Sequence, residues 1–373
     1  MKEKNIKVRL QSYSYEVVIK SGITRNCAKY LRSLSLGKKI LLVTQNKIPD
    51  YILQSLKQLL KKEGFQVFIL MLPSGEQYKN IGSLLRVVKF ALKNKFGRND
   101  SFCAVGGGVV SDLTGFAASI YFRGLNFICV PTTLLAMVDA AVGGKTGINL
   151  NEGKNLVGTF YQPRIVLIDP TALKTLPQKE FLIGMAEVIK YALIEKTAKT
   201  KFKTGGFFSY LKNKQKKILA RNVKELLNII YYSVLVKAKI VSKDEKESNI
   251  RAILNLGHTF GHGIEQAFGY KQFTHGEAVS IGMCMAASLA CRKNLFNKKL
   301  VNLIYDLIGL YGLPTKLKAP ANLKKILGAM LLDKKQKDGK LKFIVPAGKL
   351  GRVKIINNVS RGEIEEILAK SAH

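Results

Sequence analysis

The sequence has few cysteines and no long uncharged apolar run. Its five cysteines are an odd number without a CxxC pair, which predicts buried free thiols in a reducing compartment. The longest uncharged apolar stretches, 124–138 and 278–291, fall short of the roughly 20 residues of a membrane-spanning helix. The opening MKEKNIKVRL carries cations with no apolar segment after them, so no secretory signal is expected. We therefore expect a soluble, cytoplasmic protein.

Acidic residues are also scarce. The 373 residues include 25 Asp+Glu against 61 Lys+Arg, a formal net charge of +36, which raises the question of a nucleic-acid partner. A content of 47% hydrophobic residues excludes intrinsic disorder. The lysines are scattered through all segments, and no tract interleaves aromatic residues with arginine. This pattern predicts no specific nucleic-acid partner and no membrane partner, and it assigns most of the charge to the exposed surface.

Short apolar runs alternate with helical patterns in the first half of the chain. Strands covered on both faces are predicted by near-continuous apolar runs at 39–44, 66–70, 102–105, 126–130 and 164–168. Helical periodicity lies between them, and the segments 6–10 and 15–19 predict an antiparallel hairpin added to the sheet. For residues 1–170 we expect an α/β domain with a parallel, helix-covered, nucleotide-binding sheet.

Helical patterns dominate after residue 170. They cover 181–194, 223–240, 253–268, 276–291 and 299–310, and a further strand-like run lies at 342–345. Because the chain length favours two domains, residues 171–373 are expected to form a second, mostly α-helical domain. The segment 196–217 contains eight lysines and no acid, which predicts a solvated loop.

Histidine is rare and clustered. Three of the four histidines, His258, His262 and His275, lie within eighteen residues of one another. In a continuous helix, Arg251, Asn255, His258 and His262 would share one face, with apolar neighbours on the other sides. Such a stripe would point into a cavity between elements.

The histidine cluster allows two interpretations. Two imidazoles one helical turn apart, with a third after a turn, could ligate a divalent metal together with Glu187, an acid in an otherwise apolar helical segment. Alternatively, Glu187 and Lys190 form a structural i,i+3 ion pair, and His258 and His262 are hydrogen-bonded core residues. Spacing alone leaves both open and does not say which histidines would bind the metal.

Glycine and lysine recur at positions suited to phosphate. Residues 105–112 (VGGGVVSD) follow a predicted strand and open a helix, so backbone amides at a helix N-terminus would meet a pyrophosphate. Residues 130–133 end another strand, at the edge where parallel sheets bind ligands. Lysine follows glycine again within 143–147 and 153–155. Lysines are also common in surface turns without any ligand. The prediction of a phosphate-rich ligand therefore rests mainly on the glycines.

Taken in order along the chain, these motifs resemble the 3-dehydroquinate synthase family of sugar phosphate cyclases. The similarity runs from about residue 39 to 351. The matching segments are PSGEQYK (73–79), GGGVVSD (106–112), YFRG (121–124), PTTLL (131–135), VD (138–139), GGK (143–145), GKN (153–155), YQP (161–163), AEVIK (186–190), NLGHTFGH (255–262), HGE (275–277) and DKK (333–335).

The resemblance implies an NAD-dependent lyase with one divalent metal, zinc or alternatively cobalt, that acts as a homodimer. Such an enzyme converts 3-deoxy-arabino-heptulosonate 7-phosphate, a small sugar phosphate, into 3-dehydroquinate and phosphate in the shikimate pathway. C5 is oxidised transiently, phosphate is eliminated, the ketone is reduced and an intramolecular aldol reaction closes the carbocycle. NAD is thereby regenerated in each turnover. Residues 171–373 would bind the metal and the substrate.

The resemblance also assigns residues position by position. It implies that the metal ligands are Glu187, His258 and His275, and that His262 contacts substrate instead. The implied cofactor contacts are Ser74, Gly75, Glu76, Gln77, Tyr78, Lys79, Gly108, Val109, Val110, Ser111, Asp112, Thr132, Thr133, Lys145, Lys154, Ala172, Leu173, Lys174 and Thr175. The implied contacts to the substrate phosphate are Lys145, Asn155, Asn255, His262 and Lys335, with Arg123 from a second subunit. Lys237 and Arg251 are implied for the carboxylate, and Asp139 and Lys190 for the ring hydroxyls.

The chain departs from the family pattern at a few positions. Gln45 stands where an acid commonly holds the adenosine ribose, so this contact to NAD would lack a charge. Ser111 stands where glycine is usual, and two alanines at 140–141 replace a usual serine pair. None of these changes affects the implied metal ligands.

Two related activities are the main alternatives. One is a cyclase acting on another sugar phosphate, and the other is a metal-dependent alcohol dehydrogenase of the glycerol-dehydrogenase type. Relatives with other substrates tend to change the positions of Lys237, Arg251, Asn255 or His262, whereas all four are retained here. Their retention favours the dehydroquinate-forming reaction.

Overall fold

The computed structural model describes residues 3–11, 13–46, 48–200, 202, 205–317, 322–336 and 341–372, with the backbone alone at 333–336. Among these residues, no helix is both long enough and apolar enough to cross a bilayer. The chain divides into two compact units. The first comprises Met1–Phe181 and Arg221–Lys246, and the second comprises Leu182–Ala220 and Glu247–His373. The division into folding domains at residue 170 stays a prediction.

The strands and helices have the following bounds. The strands are β1 (Lys4–Arg9), β2 (Ser14–Ile19), β3 (Lys39–Gln45), β4 (Gln66–Leu72), β5 (Ser101–Gly106), β6 (Asn126–Pro131), β7 (Lys145–Leu150), β8 (Gly153–Phe160), β9 (Ile165–Ile168), β10 (Phe343–Pro346) and β11 (Val353–Ile356). The helices are α1 (Ala28–Arg32), α2 (Asp50–Lys62), α3 (Ile81–Lys93), α4 (Gly108–Ile120), α5 (Gln178–Ile194), α6 (Phe207–Leu219), α7 (Val223–Val241), α8 (His258–Ala267), α9 (His275–Arg292), α10 (Lys298–Leu310), α11 (Leu323–Gln336) and α12 (Arg361–Ser371).

A seven-stranded sheet forms the centre of the first unit, in the order β1-β2-β9-β6-β5-β3-β4. All neighbouring strands are parallel except β1 and β2, which pair as the predicted antiparallel hairpin. Every residue of β5 and β9 is buried, because helices cover both faces of a parallel sheet. The predicted α/β fold class and its parallel sheet are confirmed.

The first unit also contains a two-stranded antiparallel hairpin, β7–β8, which the sequence patterns did not predict. Glycine and asparagine interrupt both strands, and the register shifts between Ile148 and Leu150, so the apolar alternation that signals a strand is weak. The last six residues of β8 are exposed. A short π-helix, Ala136–Ala140, precedes the hairpin and packs against α7.

Helices make up most of the second unit, as predicted. Helix α9 lies at its centre, in contact with α8, α10, α12 and β10. Nearly all of α9 is buried, which fits its apolar residues on every face. The hairpin β10–β11 is the only paired strand element among the described residues of this unit.

Two predictions about this part of the chain are wrong. The helix expected over 253–268 is instead a 3₁₀ helix, Ile250–Asn255, followed by α8, because Gly257 between them has a left-handed backbone with φ of +81°. The loop expected over 196–217 ends in helix α6. There Phe207, Leu211 and Ile218 are buried at helical spacing, and the lysines cover the outer face of this stripe. Positions 201, 203 and 204 lie outside the described residues.

Candidate active site

The three metal ligands implied by the resemblance come together in the second unit. Glu187 lies on α5, His258 is the first residue of α8 and His275 is the first residue of α9. One ligand atom of each lies within 4.8 Å of the other two. The carboxylate is fully buried, whereas the His258 and His275 side chains are 12% and 32% exposed. The group is therefore accessible from its histidine side.

Both imidazoles turn the same ring nitrogen toward Glu187. His258 Nε2 lies 3.7 Å and His275 Nε2 lies 3.6 Å from Glu187 Oε1. On the other side of each ring, His258 Nδ1 lies 3.2 Å from the carbonyl oxygen of Leu256, and His275 Nδ1 lies 3.2 Å from Glu265 Oε2. Because an acceptor faces each Nδ1, each ring can carry its proton there and offer the Nε2 lone pair to a metal.

Lys190 forms an ion pair with Glu187, one helical turn away on α5, as one of the two interpretations of the sequence supposed. Both side chains are buried, at 2% and 1% exposure. The lysine contacts Glu187 Oε2, while the two histidines face Oε1. The structural ion pair and the arrangement of three potential metal ligands, treated as alternatives from the sequence, are therefore compatible in one site.

The two histidines differ in proton affinity. Burial, together with the charge of Lys190, lowers the pKa of His258 to about 3. Burial also lowers the pKa of His275, but hydrogen bonds to Glu187 and Glu265 outweigh it and raise that pKa to about 10. Neutral imidazole is the form that binds metal, so a divalent cation in this group would displace a proton from His275.

Close backbone contact places His258 beside α9. The carbonyl oxygen of Gly257, the residue before His258, would lie 2.0 Å from a Cβ added at Gly282 of α9. A side chain at Gly257 would in turn lie 2.9 Å from the carbonyl oxygen of Val279. The glycines therefore allow α8 to begin directly against α9, at the level of Glu187, His258 and His275.

The capping box at the start of α9 positions His275. Thr274 Oγ1 accepts a hydrogen bond from the backbone N–H of Glu277, and Glu277 Oε2 accepts one from the backbone N–H of Thr274 at 2.8 Å. This reciprocal arrangement fixes the first turn of a helix. His275 is consequently the first helical residue rather than part of the preceding turn.

The polar stripe predicted upstream of His258 is divided between two elements. Arg251 and Asn255 lie in the 3₁₀ helix, and Arg251 is 1% exposed. Asn255 Nδ2 donates to Glu247 Oε1 at 2.9 Å. His262 remains on α8, with its ring centroid 5.3 Å from that of His258. His262 thus lies beside the group formed by Glu187, His258 and His275, and its role as a substrate contact stays a prediction.

Cofactor positions implied by the resemblance follow the carboxyl ends of neighbouring strands in the first unit. Ser74 follows β4, Gly108 begins α4 just after β5, and Thr132 follows β6. The Thr132 N–H donates to the carbonyl oxygen of Gly106 at 2.9 Å, which joins two of these strand ends. This edge is where open parallel sheets bind ligands, and the first turn of α4 presents its amides there.

A buried lysine connects several of these positions. Lys79 Nζ donates to Asp112 Oδ2 and to Asn155 Oδ1, both at 2.5 Å. Asn149, which sequence reasoning missed, lies next to this group: its side chain donates to Glu76 and accepts from the Asn155 N–H. The structure therefore joins implied cofactor contacts to Asn155, an implied substrate contact.

The other implied site residues of the first unit lie as follows. Lys237 Nζ on α7 donates to the carboxylate and to the backbone carbonyl of Asp139, both at 2.6 Å. The 3₁₀ helix Pro170–Lys174 contains most of the implied stretch 172–175, and Arg221 donates to two of its carbonyl oxygens. Lys145 and Lys154 lie on the hairpin β7–β8, where the first is exposed and the second half-exposed. Arg123 is exposed in the turn after α4. The side chain of Lys335 lies outside the described residues.

Glu265 and Glu247 are two acids near this site that sequence reasoning missed. Each faces an implied site residue, His275 and Asn255 respectively. Glu265 follows His258 by seven residues, a spacing that returns to the same helix face, so the spacing could have indicated it. Glu247 lies before the 3₁₀ helix, where no periodic pattern marks it.

Comparison with known proteins identifies close similarity along the whole chain. The family model described as 3-dehydroquinate synthase N-terminal matches residues 69–183, and the C-terminal one matches residues 184–336. A 3-dehydroquinate synthase of Picosynechococcus sp. is 44% identical over 365 residues, which are 97% of this chain and 98% of that protein. A further 3-dehydroquinate synthase, from Crocosphaera subtropica, is 42% identical with the same coverage.

A solved structure with closely similar architecture carries both expected cofactor types. The 2-deoxy-scyllo-inosose synthase complexed with carbaglucose-6-phosphate, NAD+ and Co2+ has a TM-score of 0.88 and 26% identity, covering 99% of this chain and 100% of that one. Its similarity extends over both compact units.

Proposed function

The chain belongs to the 3-dehydroquinate synthase family, and on that premise we propose that Glu187, His258 and His275 hold its divalent metal. The function is formation of 3-dehydroquinate and phosphate from 3-deoxy-arabino-heptulosonate 7-phosphate, by an NAD- and metal-dependent lyase of the shikimate pathway. The observation that carries the site assignment is the convergence of these three side chains within 4.8 Å.

The donor set fits a zinc or cobalt ion. Two imidazoles and one carboxylate supply three protein ligands, which leaves a coordination position for substrate, as in catalytic zinc sites. When bound, the metal would supply Lewis acidity at a substrate oxygen, and NAD would supply the capacity for reversible hydride transfer. Glu187 is held for this role by Lys190, whose ammonium group balances the buried carboxylate.

Charged and polar side chains of the second unit are assigned to the substrate. We assign Arg251 to the carboxylate, because a buried guanidinium held in one place can bind a carboxylate through two parallel hydrogen bonds. Asn255 and His262 are assigned to the phosphate, and Lys190 to a ring hydroxyl. Glu247 would orient the Asn255 amide through the 2.9 Å hydrogen bond it accepts.

The first unit is assigned to NAD and to further substrate contacts. The carboxyl edge of its sheet and the start of α4 would receive the pyrophosphate through backbone amides. Lys237 and Asp139 hold each other in place through short hydrogen bonds, which keeps both polar groups oriented for substrate. Arg123, Lys145, Asn155 and Lys335 keep the substrate-phosphate role proposed from the resemblance.

A homodimer is proposed for this chain, with β8 as part of the interface. Leu156, Val157 and Phe160 on β8 are 55%, 38% and 39% exposed, an unusual apolar content for a solvated strand. Pairing with a second copy would cover these side chains and the outer edge of the strand.

A cytoplasmic location is proposed because all five cysteines are free thiols and four are buried.

A phosphate-release assay on the heptulosonate phosphate tests the function. We expect release of one phosphate per 3-dehydroquinate without net NADH, loss of activity with a chelator, and recovery with Zn²⁺ or Co²⁺. Glu187→Gln should abolish both activity and stoichiometric metal binding. Steady NADH accumulation on a simple polyol would instead assign the chain to the dehydrogenase alternative, and full activity after complete metal removal would contradict the proposed site.

A further inference from the structure

We propose that Glu265 is a positioning residue of the metal site, whose carboxylate accepts the Nδ1–H of His275 and keeps Nε2 turned toward Glu187. The two contacts of His275 lie on opposite sides of its ring, at 3.2 Å from Nδ1 to Glu265 Oε2 and at 3.6 Å from Nε2 to Glu187 Oε1. This inference rests on the proposed function, because it assumes that Glu187, His258 and His275 bind the metal.

The fold brings Glu265 to His275 through two helices. Glu265 lies seven residues after His258 on α8, so both residues occupy the same helix face, and α8 packs against α9. The capping box of α9 places His275 at the end of that helix, facing α8. The same helix thus provides one metal ligand and the group that orients another.

The charge of the buried Glu265 carboxylate affects how His275 would bind a metal. Glu265 is 5% exposed, and a buried carboxylate is costly unless hydrogen-bonded donors surround it. If Nε2 binds a metal, the proton of the neutral His275 ring must lie on Nδ1. A charged acceptor at Nδ1 strengthens the hydrogen bond and makes Nε2 a better electron-pair donor to the metal. His258 has only a neutral acceptor at its Nδ1, the carbonyl oxygen of Leu256.

Glu265 is not itself placed as a ligand. It contacts His275 from the Nδ1 side, and the group of side chains able to share one ion comprises Glu187, His258 and His275. Its effect on the metal must therefore act through the orientation and basicity of His275.

The test measures metal affinity directly in the full-length protein. Apo protein is titrated with Zn²⁺ and with Co²⁺ against a competing chromogenic chelator, and the visible spectrum of the Co²⁺-loaded protein is recorded. Glu265→Gln keeps the shape and a hydrogen-bond acceptor but removes the charge, and Glu265→Ala removes the acceptor altogether. Glu195→Gln is the matched control, because Glu195 is 3% exposed in the same unit and accepts a hydrogen bond from the Phe207 N–H instead.

We expect metal affinity to fall about tenfold in E265Q and about a hundredfold in E265A, with an altered Co²⁺ spectrum, and to stay unchanged in E195Q. Should E265A fail to fold, the near-isosteric E265Q still decides the question. Wild-type affinity and spectrum in E265Q would overturn the inference. Absence of stoichiometric metal binding in the wild type would overturn the proposed function instead, so the two failures are distinguishable.

Discussion

Lys79 shows how a single buried charge organises part of the first unit. Its side chain is 5% exposed and donates to Asp112 and Asn155. Burial raises the pKa of Asp112, and the charge of Lys79 opposes that increase. The lysine therefore supplies a counter-charge to a partly desolvated carboxylate at a position that the resemblance assigns to the cofactor.

Removing this lysine should leave Asp112 without its counter-charge. We expect Lys79→Met to lower the free energy of unfolding by about 3 kcal/mol, since breaking one side of a buried pair leaves an uncompensated charge. Adding Asp112→Asn should recover part of the loss, which urea denaturation of both single variants and the double variant would measure. Strictly additive losses would show that the two side chains are not coupled.

Glu363 should make stability depend on pH in the acid range. Hydrogen bonds from Lys293 and from the Ser360 backbone lower the pKa of this carboxyl to about 2. The group stays ionised in the folded chain below the pH at which it protonates in the unfolded chain. Its stabilising effect is therefore complete above about pH 5 and disappears as the pH falls toward 2.

The comparison with Glu363→Gln isolates this contribution. Urea denaturation at several pH values between 2 and 7 should show the wild type more stable than the variant at neutral pH, with a difference that shrinks steadily on acidification. A difference that is the same at every pH would mean that the contacts of Glu363 do not depend on its charge.

Two helical glycines with different surroundings test the close packing of α8 and α9. A Cβ at Gly282 would lie 2.0 Å from the Gly257 carbonyl oxygen, whereas a Cβ at Gly328 of α11 would meet no atom within 4 Å. Gly282→Ala should cost about 2 kcal/mol of stability and weaken metal binding, because the backbone before His258 must move. Gly328→Ala should instead stabilise by roughly 0.5 kcal/mol. Thermal unfolding and chelator competition measure both effects.

Several elements could be predicted from the sequence for a clear physical reason, and others could not. The buried strands β3, β5, β6 and β9 are continuous apolar runs, and their existence and parallel pairing are confirmed. The hairpin β7–β8 was not predicted, because glycine and asparagine interrupt the alternation of apolar and polar residues in both strands. The break before His258 was not predicted either, because Gly257 adopts a left-handed conformation that the helical spacing of the residues around it does not reveal.

At the scale of the whole molecule, the exposed apolar strand β8 predicts how the chain associates. In light-scattering chromatography we expect twice the 41.4 kDa mass of one chain for the wild type and a single-chain mass for Leu156→Glu. Leu332→Glu is the matched control, because Leu332 on α11 is 54% exposed against 55% for Leu156. Dissociation by both substitutions, or by neither, would contradict an interface at β8.

The net charge of +36 bears on partners in solution. The prediction that no specific nucleic acid is bound rests on the scattered lysines and is checked by a gel shift on DNA and RNA at physiological salt. We expect weak, salt-sensitive binding without sequence preference, because dispersed lysines attract phosphates without reading bases. Tight, sequence-selective binding would contradict the prediction.

The sequence by itself determined the fold class, the family and the candidate residues, because apolar periodicity and ordered motifs are local properties of the chain. Spacing alone could not say which histidines would share a metal, since His258 and His262 are one helical turn apart and His275 belongs to another helix. Only the tertiary structure turned His258 and His275 toward Glu187 and placed Glu265 behind the second ring. The direction of a side chain depends on contacts between helices distant in sequence, and these exist only once the chain has folded.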